Sequence, residues 1–332
     1  MDVLVTGVAG FIGSATARAL LERDDEVIGI DNINDYYDPG LKKARLDSLS
    51  KQFDNRFRFE RVDFSDIQAL QRLSDAANFD RIVHLGAQAG VRYSLENPQA
   101  YVQSNLVGHC NMLELAKSRG SSHFVYASSS SVYGGNKSLP FRVEDRVDHP
   151  LSLYAATKKS DELLSECYAS LHHLPCTGLR FFTVYGPWGR PDMAMWIFTK
   201  ALLAGQPLPL YNGGEMRRDF TYIDDIVRGV IACLDSPPTD DGSTKAGGSS
   251  SPHALYNIGN SRSEDLMRVV ELLEQATGKK ALLDPQPMQP GDVKDTFADI
   301  SAIERDHGFR PAMTIDEGVP RFVDWYREYH RI

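Results

Sequence analysis

The sequence is poor in cysteine and contains no long apolar run. Its four cysteines, Cys110, Cys167, Cys176 and Cys233, lack the close pairing that metal sites use, so we predict free thiols of a reducing compartment and no bound metal. No apolar stretch reaches about 18 residues, and no basic segment with an apolar run precedes the first predicted strand. We therefore expect neither a membrane span nor an export signal, and a cytoplasmic location.

Positive charge is also scarce. The 36 lysines and arginines are outnumbered by 45 aspartates and glutamates, which gives a net charge of −9. This balance argues against nucleic acid or an anionic membrane surface as a partner. The 332 residues, of which 42% are hydrophobic, are enough to bury a sizeable core and suggest at most two subdomains.

Apolar patterning predicts alternating strands and helices up to about residue 182. The predicted strands are 2–6, 26–30, 57–62, 81–85, 123–127 and 176–182. The first predicted helix begins at residue 11, and the next four are 41–50, 66–77, 99–118 and 152–172. This alternation is typical of an α/β protein with a doubly wound, Rossmann-like parallel sheet. Beyond it we predict helices at 192–204, 222–235, 263–277 and 315–329, and short strands at 208–211, 255–258 and 281–283.

Three glycines lie between the first predicted strand and the first predicted helix. Gly7, Gly10 and Gly13 follow the spacing G-x-x-G-x-x-G, a variant of the dinucleotide-binding fingerprint. The first glycine permits a tight turn, the second lets the backbone approach a pyrophosphate, and the third lets helix and strand pack closely. The N-terminus of the helix that begins at Phe11 would then face the anion.

The second predicted strand ends in an acidic residue, Asp31, eighteen residues after Gly13. A carboxylate at this place accepts hydrogen bonds from a ribose diol and repels a 2′-phosphate. The sequence therefore predicts NAD, and not NADP, as the cofactor.

Tyr154 and Lys158 are four residues apart in a predicted helix. Such positions share one face, so the phenol and the ammonium point into the same space. A free tyrosine titrates near ~10, and lowering its pKa to about 7 takes roughly 4 kcal/mol, to which a neighbouring cation contributes. The pair is common by chance, but downstream of a dinucleotide loop it indicates a general base.

A run of serines, Ser128–Ser131, follows the strand predicted at 123–127. Doubly wound folds bind their ligands at the carboxyl ends of the strands, so these hydroxyls should face the cofactor.

Together these motifs resemble the extended short-chain dehydrogenases/reductases, and among them the UDP-glucuronate 4-epimerases. The resemblance extends over nearly the whole chain. It is carried by TGVAGFIG (6–13), IDN (30–32), NDYY (34–37), HLGAQAGVR (84–92), the serine run, SLYAATKK (152–159), RFFTVYGPWGRPDM (180–193), RRDFTYIDD (217–225) and QPGDV (289–293).

The resemblance implies roles for individual residues. Tyr154 would be the general base, Ser129 would bond the reacting oxygen, and Lys158 would assist both the base and NAD. NAD would be held by Gly7, Gly10, Phe11, Ile12, Gly13, Asp31, Asn32, Asp63, Phe64, Leu85, Gly86, Ala87, Gln88, Asn105, Tyr154 and Lys158. The UDP-sugar would be held by Ser129, Ser130, Ser131, Tyr154, Thr183, Arg190, Arg218, Gln289 and Asp292.

The end of the regular alternation at about residue 182 predicts a domain division. Residues 1–182 would form the domain that binds NAD, and residues 183–332 a smaller region that mainly binds the UDP-sugar. Residues 236–253, rich in Ser, Gly, Pro and Asp, would form a flexible surface loop. The resemblance implies an assembly as well. The helices predicted at 99–118 and 152–172 would pair across a twofold axis in a homodimer, although their apolar faces could equally pack within one chain.

Two serines help to choose the reaction. The 4,6-dehydratases carry Asp and Glu at the positions of Ser130 and Ser131, and the UDP-glucuronate decarboxylases carry Glu at the second, so this chain lacks their proton carriers. What remains is oxidation at carbon 4, rotation of the keto-sugar and reduction from the other face, which epimerises UDP-glucuronate to UDP-galacturonate. Ser130, Ser131 and Thr183 would hold the sugar carboxylate and so disfavour its loss as carbon dioxide.

Three alternatives stay open at this point. The chain could be a UDP-glucose/UDP-galactose 4-epimerase, although those enzymes carry asparagine where this sequence has Thr183. It could be a UDP-glucuronate decarboxylase. It could also be a regulator or scaffold that merely carries NAD, because a fold does not determine a function.

Overall fold

The computed structural model describes all 332 residues. The strands are β1 (Asp2–Thr6), β2 (Glu26–Asp31), β3 (Phe57–Arg61), β4 (Arg81–His84), β5 (His123–Ser129), β6 (Cys176–Phe181), β7 (Thr183–Tyr185), β8 (Pro207–Tyr211), β9 (Arg217–Tyr222), β10 (His253–Ile258), β11 (Ser263–Asp265) and β12 (Leu282–Gln286). The helices are α1 (Phe11–Glu22), α2 (Pro39–Gln52), α3 (Ile67–Ala76), α4 (Tyr93–Glu96), α5 (Pro98–Tyr101), α6 (Gly108–Arg119), α7 (Leu153–His172), α8 (Ala194–Ala204), α9 (Ile223–Asp235), α10 (Leu266–Thr277), α11 (Ser301–His307) and α12 (Ile315–His330).

The central sheet has seven strands in the order β3-β2-β1-β4-β5-β6-β10, and every neighbouring pair is parallel. The order reverses between β1 and β4, and ligands of doubly wound sheets bind at such a reversal. The predicted doubly wound α/β fold is therefore confirmed.

Burial on both faces explains why these strands have nearly continuous apolar runs. In β1, Val3 and Val5 belong to the larger hydrophobic core, which also contains residues of α1, α2 and α9. Leu4, between them, belongs to a second core with residues of α3 and α6. Because successive side chains of a strand point to opposite faces, the sheet separates the two cores.

The C-terminal part of the chain adds smaller sheets beside the carboxyl ends of the central strands. β11, β9 and β7 form a three-stranded sheet, and β12 pairs in parallel with β8. The predicted strands 208–211 and 281–283 correspond to β8 and β12. The predicted helix 263–277 begins only at Leu266, because its first three residues form β11.

The last strand of the central sheet, β10, comes from beyond residue 182 and pairs with β6. The predicted division of the chain at 182 stays a prediction, but the sheet itself uses residues from both sides of it. Of the segment 236–253, predicted as a flexible surface loop, residues 236–252 contain no helix or strand, and His253 begins β10. It is tied to the fold where Ser249 Oγ donates to Glu166 (2.8 Å) and Leu255 N donates to the Ala246 carbonyl (2.9 Å).

The helix predicted at 99–118 is one helical run with a change in winding. α5 continues into a π-helical stretch, Val102–Val107, and then into α6. Such stretches are frequent at functional sites because they turn one side chain out of register. None of the helices combines the length and the apolar character that crossing a membrane requires.

Candidate active site

A cavity of about 670 Å³ lies at the carboxyl ends of the central strands. Its walls come from the loop after β1, the ends of β2, β4 and β5, the first turns of α7, and segments of the C-terminal part. The cavity is therefore shared between the sheet and the C-terminal sheets. It is large enough for an extended ligand that has one end on each side.

The loop after β1 allows no side chain at its three glycines. Gly7 has a φ of +67°, which favours glycine, and a Cβ there would lie 2.7 Å from Gly86 Cα. A Cβ on Gly10 or Gly13 would approach the Gly7 carbonyl oxygen to 2.9 or 2.1 Å. The loop thus packs tightly under α1, whose N-terminus begins at the cavity and suits an anion.

Asp31, at the end of β2, lies in the cavity wall as the sequence predicts. Its carboxylate accepts hydrogen bonds from Ala9 N (3.1 Å) and Ile33 N (2.8 Å). Burial raises the pKa of Asp31, and those two hydrogen bonds and the nearby Lys42 oppose that rise. A carboxylate has more lone pairs than these two donors use, so it can still accept from a ribose diol. Together with the glycine loop, it fits the adenosine half of a dinucleotide.

Two residues predicted to hold the cofactor do not line the cavity. Asp63 accepts hydrogen bonds from Asn32 Nδ2 (2.9 Å) and Ser65 Oγ (2.7 Å), so it orients Asn32, which does line it. Asn105, in the π-helical stretch, is 1% exposed and bonds both the N–H (2.8 Å) and the carbonyl (3.1 Å) of Gln88. Asn105 is therefore buried behind the wall, whereas Asp63 is exposed beside it, and each bonds a neighbour that faces the cavity.

The other predicted cofactor residues all line the cavity. They are Gly7, Gly10, Phe11, Ile12, Gly13, Asp31, Asn32, Phe64, Leu85, Gly86, Ala87, Gln88, Tyr154 and Lys158.

Tyr154 lies in the first turn of α7, which Ser152 caps by accepting from Ala155 N (3.1 Å). The tyrosine is half-buried, and its ring meets that of Tyr101 edge to face, with centroids 6.0 Å apart. Lys158, one turn later, is buried, and its Nζ donates to the Ala127 carbonyl (3.0 Å) and to Asp161 Oδ2 (2.9 Å). The helix thus brings the predicted base and its cation into the same cavity.

The serine run faces this pair from the end of β5. Ser129 Oγ accepts from Ser131 N (3.2 Å), and Ser129, Ser130 and Ser131 all line the cavity. Thr183, the first residue of β7, lines it as well. Ser128, the first residue of the run, also lines the cavity, and its Oγ donates to Glu162 (2.7 Å), which forms a buried ion pair with Arg180. That network fixes the position of the serines.

Three arginines line the part of the cavity formed by the C-terminal segments. Arg190 is paired with Asp192, whose Oδ2 also accepts from Tyr36 (3.1 Å). Arg218 donates to the backbone carbonyls of Val293 and Lys294. Guanidinium groups are the side chains best suited to bind a pyrophosphate.

The third arginine, Arg92, ends one of the motifs that carry the resemblance but has no role predicted from the sequence. It donates to Asp292 (3.0 Å) and stacks over the ring of Tyr211, 4.2 Å from its centroid. Asp292 lines the cavity as predicted, but Gln289 does not. Instead the Gln289 carbonyl accepts from Asp292 N (3.2 Å), which closes the turn that presents Asp292.

The carboxylates of the cavity wall limit the chemistry. They are Asp31, Asp192 and Asp292, and each is engaged by backbone N–H groups or by an arginine. No glutamate lines the cavity. The hydroxyls of Tyr154 and the serines are therefore the groups best placed to transfer protons.

Comparison with known proteins assigns the chain to a family. Residues 4–322 match the family described as GDP-mannose 4,6 dehydratase. The chain is 48% identical to protein CapI of Staphylococcus aureus, with all of both chains covered. It is 46% identical to a probable UDP-glucuronate 4-epimerase of Rhizobium meliloti, over 100% of this chain and 98% of that one.

A solved structure is similar along the whole chain. The Bacillus cereus UDP-glucuronic acid 4-epimerase in complex with UDP-glucuronic acid and NAD superimposes with a TM-score of 0.89 at 35% identity, covering 99% of this chain and 100% of that one. The chain therefore belongs to the GDP-mannose 4,6-dehydratase family, within the extended short-chain dehydrogenases/reductases.

Proposed function

We propose that the protein is an NAD-dependent UDP-glucuronate 4-epimerase, which interconverts UDP-glucuronate and UDP-galacturonate. The observation that carries this proposal is the set of hydroxyls around Tyr154, in a cavity whose carboxylates are all engaged. Elimination of water and decarboxylation use acidic side chains in the related enzymes, and positions 130 and 131 are serine here. The names of the similar proteins support the same activity.

The reaction needs a base at the 4-hydroxyl. NAD, when bound, supplies the hydride acceptor for carbon 4. Tyr154 takes the hydroxyl proton as carbon 4 is oxidised, and Lys158 favours the tyrosinate by its charge. Ser129 donates a hydrogen bond to the same oxygen. The keto-sugar then rotates in the cavity so that its opposite face is reduced. Tyr154 returns the proton to the alkoxide that this reduction forms.

The sugar carboxylate determines whether the intermediate survives. An oxidised glucuronate is a β-keto acid, which loses carbon dioxide when its carboxylate is free to give up charge. Hydrogen bonds from Ser130, Ser131 and Thr183 to the carboxylate stabilise the charged ground state over that transition state. Neutral hydroxyls also avoid placing a second anion beside the carboxylate, which would be costly in a buried cavity.

The UDP group would lie among the arginines. Arg190 and Arg218, as the sequence predicts, and Arg92 supply charge-assisted hydrogen bonds to the pyrophosphate. Asp292 orients Arg92, and Gln289 acts through the turn that holds Asp292.

A homodimer and a cytoplasmic location belong to the same proposal. Leu163, Cys167 and Leu171 recur every four residues on α7 and form an exposed stripe, with the two leucines 56% and 72% exposed. A second copy of the chain would cover it. The absence of any disulfide among the four cysteines is compatible with a reducing compartment. Light scattering of the purified protein distinguishes dimer from monomer.

The experiment that tests the function is incubation of the purified protein with UDP-glucuronate, followed by chromatography with mass detection. We expect UDP-galacturonate and residual substrate. UDP-xylose as the main product would indicate a decarboxylase. Turnover of UDP-glucose but not of UDP-glucuronate would indicate a neutral-sugar epimerase.

A further inference from the structure

The buried partner of Lys158 is a carboxylate that the mechanism above does not use. Asp161 is three residues further along α7, its side chain is 1% exposed, and its Oδ2 accepts from Lys158 Nζ at 2.9 Å. Its second oxygen, Oδ1, is buried without a hydrogen-bond partner. A carboxylate in such a place is costly unless its charge is balanced, and Lys158 is the one cation paired with it.

The next residue, Glu162, has a different environment. It accepts two hydrogen bonds from Arg180 (2.7 and 2.9 Å), one from Ser128 and one from Lys159 (3.2 Å). Its charge is thus balanced by other cations and does not depend on Lys158. Asp161 is therefore the anion that decides whether the charge of Lys158 is compensated.

The geometry also limits what Lys158 can do. An ammonium has three N–H donors, and two are directed to the Ala127 carbonyl and to Asp161. One donor is left for the cavity. The pair Lys158–Asp161 also presents to Tyr154 a smaller positive field than a lone ammonium would.

We propose that Asp161 is a positioning residue that orients Lys158 and sets the pH range in which Tyr154 is ionised. This inference rests on the proposed role of Tyr154 as the base and deepens it. Asp161 itself does not line the cavity.

Other charged and titratable groups face this set from the neighbouring elements. They are Tyr101, Arg190, His84, His109 and Glu162. Burial lowers the pKa of His84 to about 3, and burial also holds the pKa of His109 well below its ordinary value, so both histidines are neutral. Arg190 is paired with Asp192 and Glu162 with Arg180. Burial raises the pKa of Asp161 to about 6, a rise that Lys158 opposes, so its charge is present above that pH.

The test is a spectroscopic titration of Tyr154. The ultraviolet absorbance of tyrosinate is followed against pH for the NAD-loaded protein and for its Tyr154→Phe variant, and the difference isolates Tyr154. In Asp161→Asn a negative charge near Lys158 is lost, so the titration of Tyr154 should move to lower pH by about one unit or more. The pH profile of kcat should move the same way. Asp161→Ser also removes the charge but leaves room for water. It should shift the Tyr154 titration in the same direction, and it replaces Asp161→Asn if that variant does not fold.

The control is Asp225→Asn on α9. Asp225 is as buried as Asp161, accepts from the backbone N–H groups of Ala312 and Met313, and lies outside the cavity wall. Its loss should lower stability without moving the Tyr154 titration. A titration that stays in place, or moves to higher pH, in both folded Asp161 variants would overturn the inference. Failure of the parent protein to epimerise any UDP-sugar would instead refute the proposed function, and the titration would still report on Asp161.

Discussion

At the scale of single residues, the first turns of α7 determine the chemistry. Ser152 caps the helix, Tyr154 follows in its first turn, and Lys158 comes one turn later with its ammonium held by Ala127 and Asp161. The helix period places the phenol and the cation on one face of α7, and Ala127 of β5 then helps to hold the ammonium.

Removing the phenolic oxygen should isolate its contribution. Tyr154→Phe should lower kcat by about 10²–10⁴, the range of general acid–base catalysis, and leave folding and UDP binding intact. Steady-state kinetics with UDP-glucuronate and calorimetry with UDP measure the two effects. Near parental turnover in the variant would show that another group is the base.

Product partitioning should report on the carboxylate. In Ser131→Ala combined with Thr183→Val, two of the three hydroxyls proposed to hold it are lost. The intermediate can then lose carbon dioxide, so the ratio of decarboxylated UDP-sugar to UDP-galacturonate should rise while the overall rate falls. Ser118→Ala is the control, because Ser118 lies outside the cavity wall and its Oγ bonds the Leu115 carbonyl of its own helix. Slower epimerisation without any decarboxylated product would contradict the assignment.

At the scale of elements, the junction of β1 and α1 depends on close backbone approach. A methyl group on Gly13 would lie 2.1 Å from the Gly7 carbonyl oxygen, so Gly13→Ala must displace the loop that should hold NAD. A backbone shift of this kind costs about 1–3 kcal/mol, which corresponds to a loss of affinity of roughly fivefold to 150-fold if NAD must reverse the shift.

The NAD content of the purified protein measures this effect, after denaturation and enzymatic assay of the released nucleotide. Gly13→Ala should carry much less NAD than the parent. Gly135→Ala is the control, because a Cβ there would have only a Leu151 methyl group within 4.0 Å. Equal NAD content in Gly13→Ala would mean that the loop does not bind the cofactor.

The central sheet was predictable because parallel strands that are buried on both faces consist of short apolar runs, as in β1 and β5. β9 was not, because it begins with two arginines and an aspartate. Asp219 is buried there only because Asn260 N and Ala298 N, far away in the sequence, donate to it (2.6 and 3.1 Å). The change to π-helical winding at Val102–Val107 likewise has no signal in the apolar pattern.

Site residues differ in the same way. Gly13 and Asp31 could be placed by spacing alone, since the loop and the strand end are local features. Asp63, Asn105 and Gln289 are predicted to contact ligands, but none of the three lines the cavity. Asn105 is buried and bonds Gln88, whereas Asp63 is exposed and bonds Asn32, and a one-dimensional pattern does not distinguish such places. Arg92 has no role predicted from the sequence, because its partners, Asp292 and Tyr211, come from the other end of the chain.

At the scale of the whole molecule, stability should depend on histidines buried in the neutral form. His123 bonds the Leu234 carbonyl (3.0 Å) and Thr177 Oγ1 (2.9 Å), and burial lowers its pKa to about 4. Because the unfolded chain binds the proton first, this contribution to stability is complete above about pH 6.5 and is lost as the pH falls towards 4.

Urea unfolding of the parent and of His123→Gln at several pH values measures that contribution. The destabilisation caused by the substitution should shrink by roughly 1.4 kcal/mol for each pH unit below about 6.5, since glutamine does not titrate. A destabilisation that is the same at neutral and acidic pH would show that His123 binds its proton as readily in the folded protein as in the unfolded chain.

The proposed reaction requires both parts of the cavity, because the hydrogen removed from carbon 4 must stay there until the keto-sugar has rotated and is reduced again. The most direct measurement uses UDP-glucuronate that carries deuterium at carbon 4, in ordinary water, with product analysis by mass spectrometry and absorbance recording of NADH. The account predicts UDP-galacturonate that retains the deuterium at carbon 4, formed without net accumulation of NADH. Loss of the deuterium to water, or stoichiometric NADH, would contradict it.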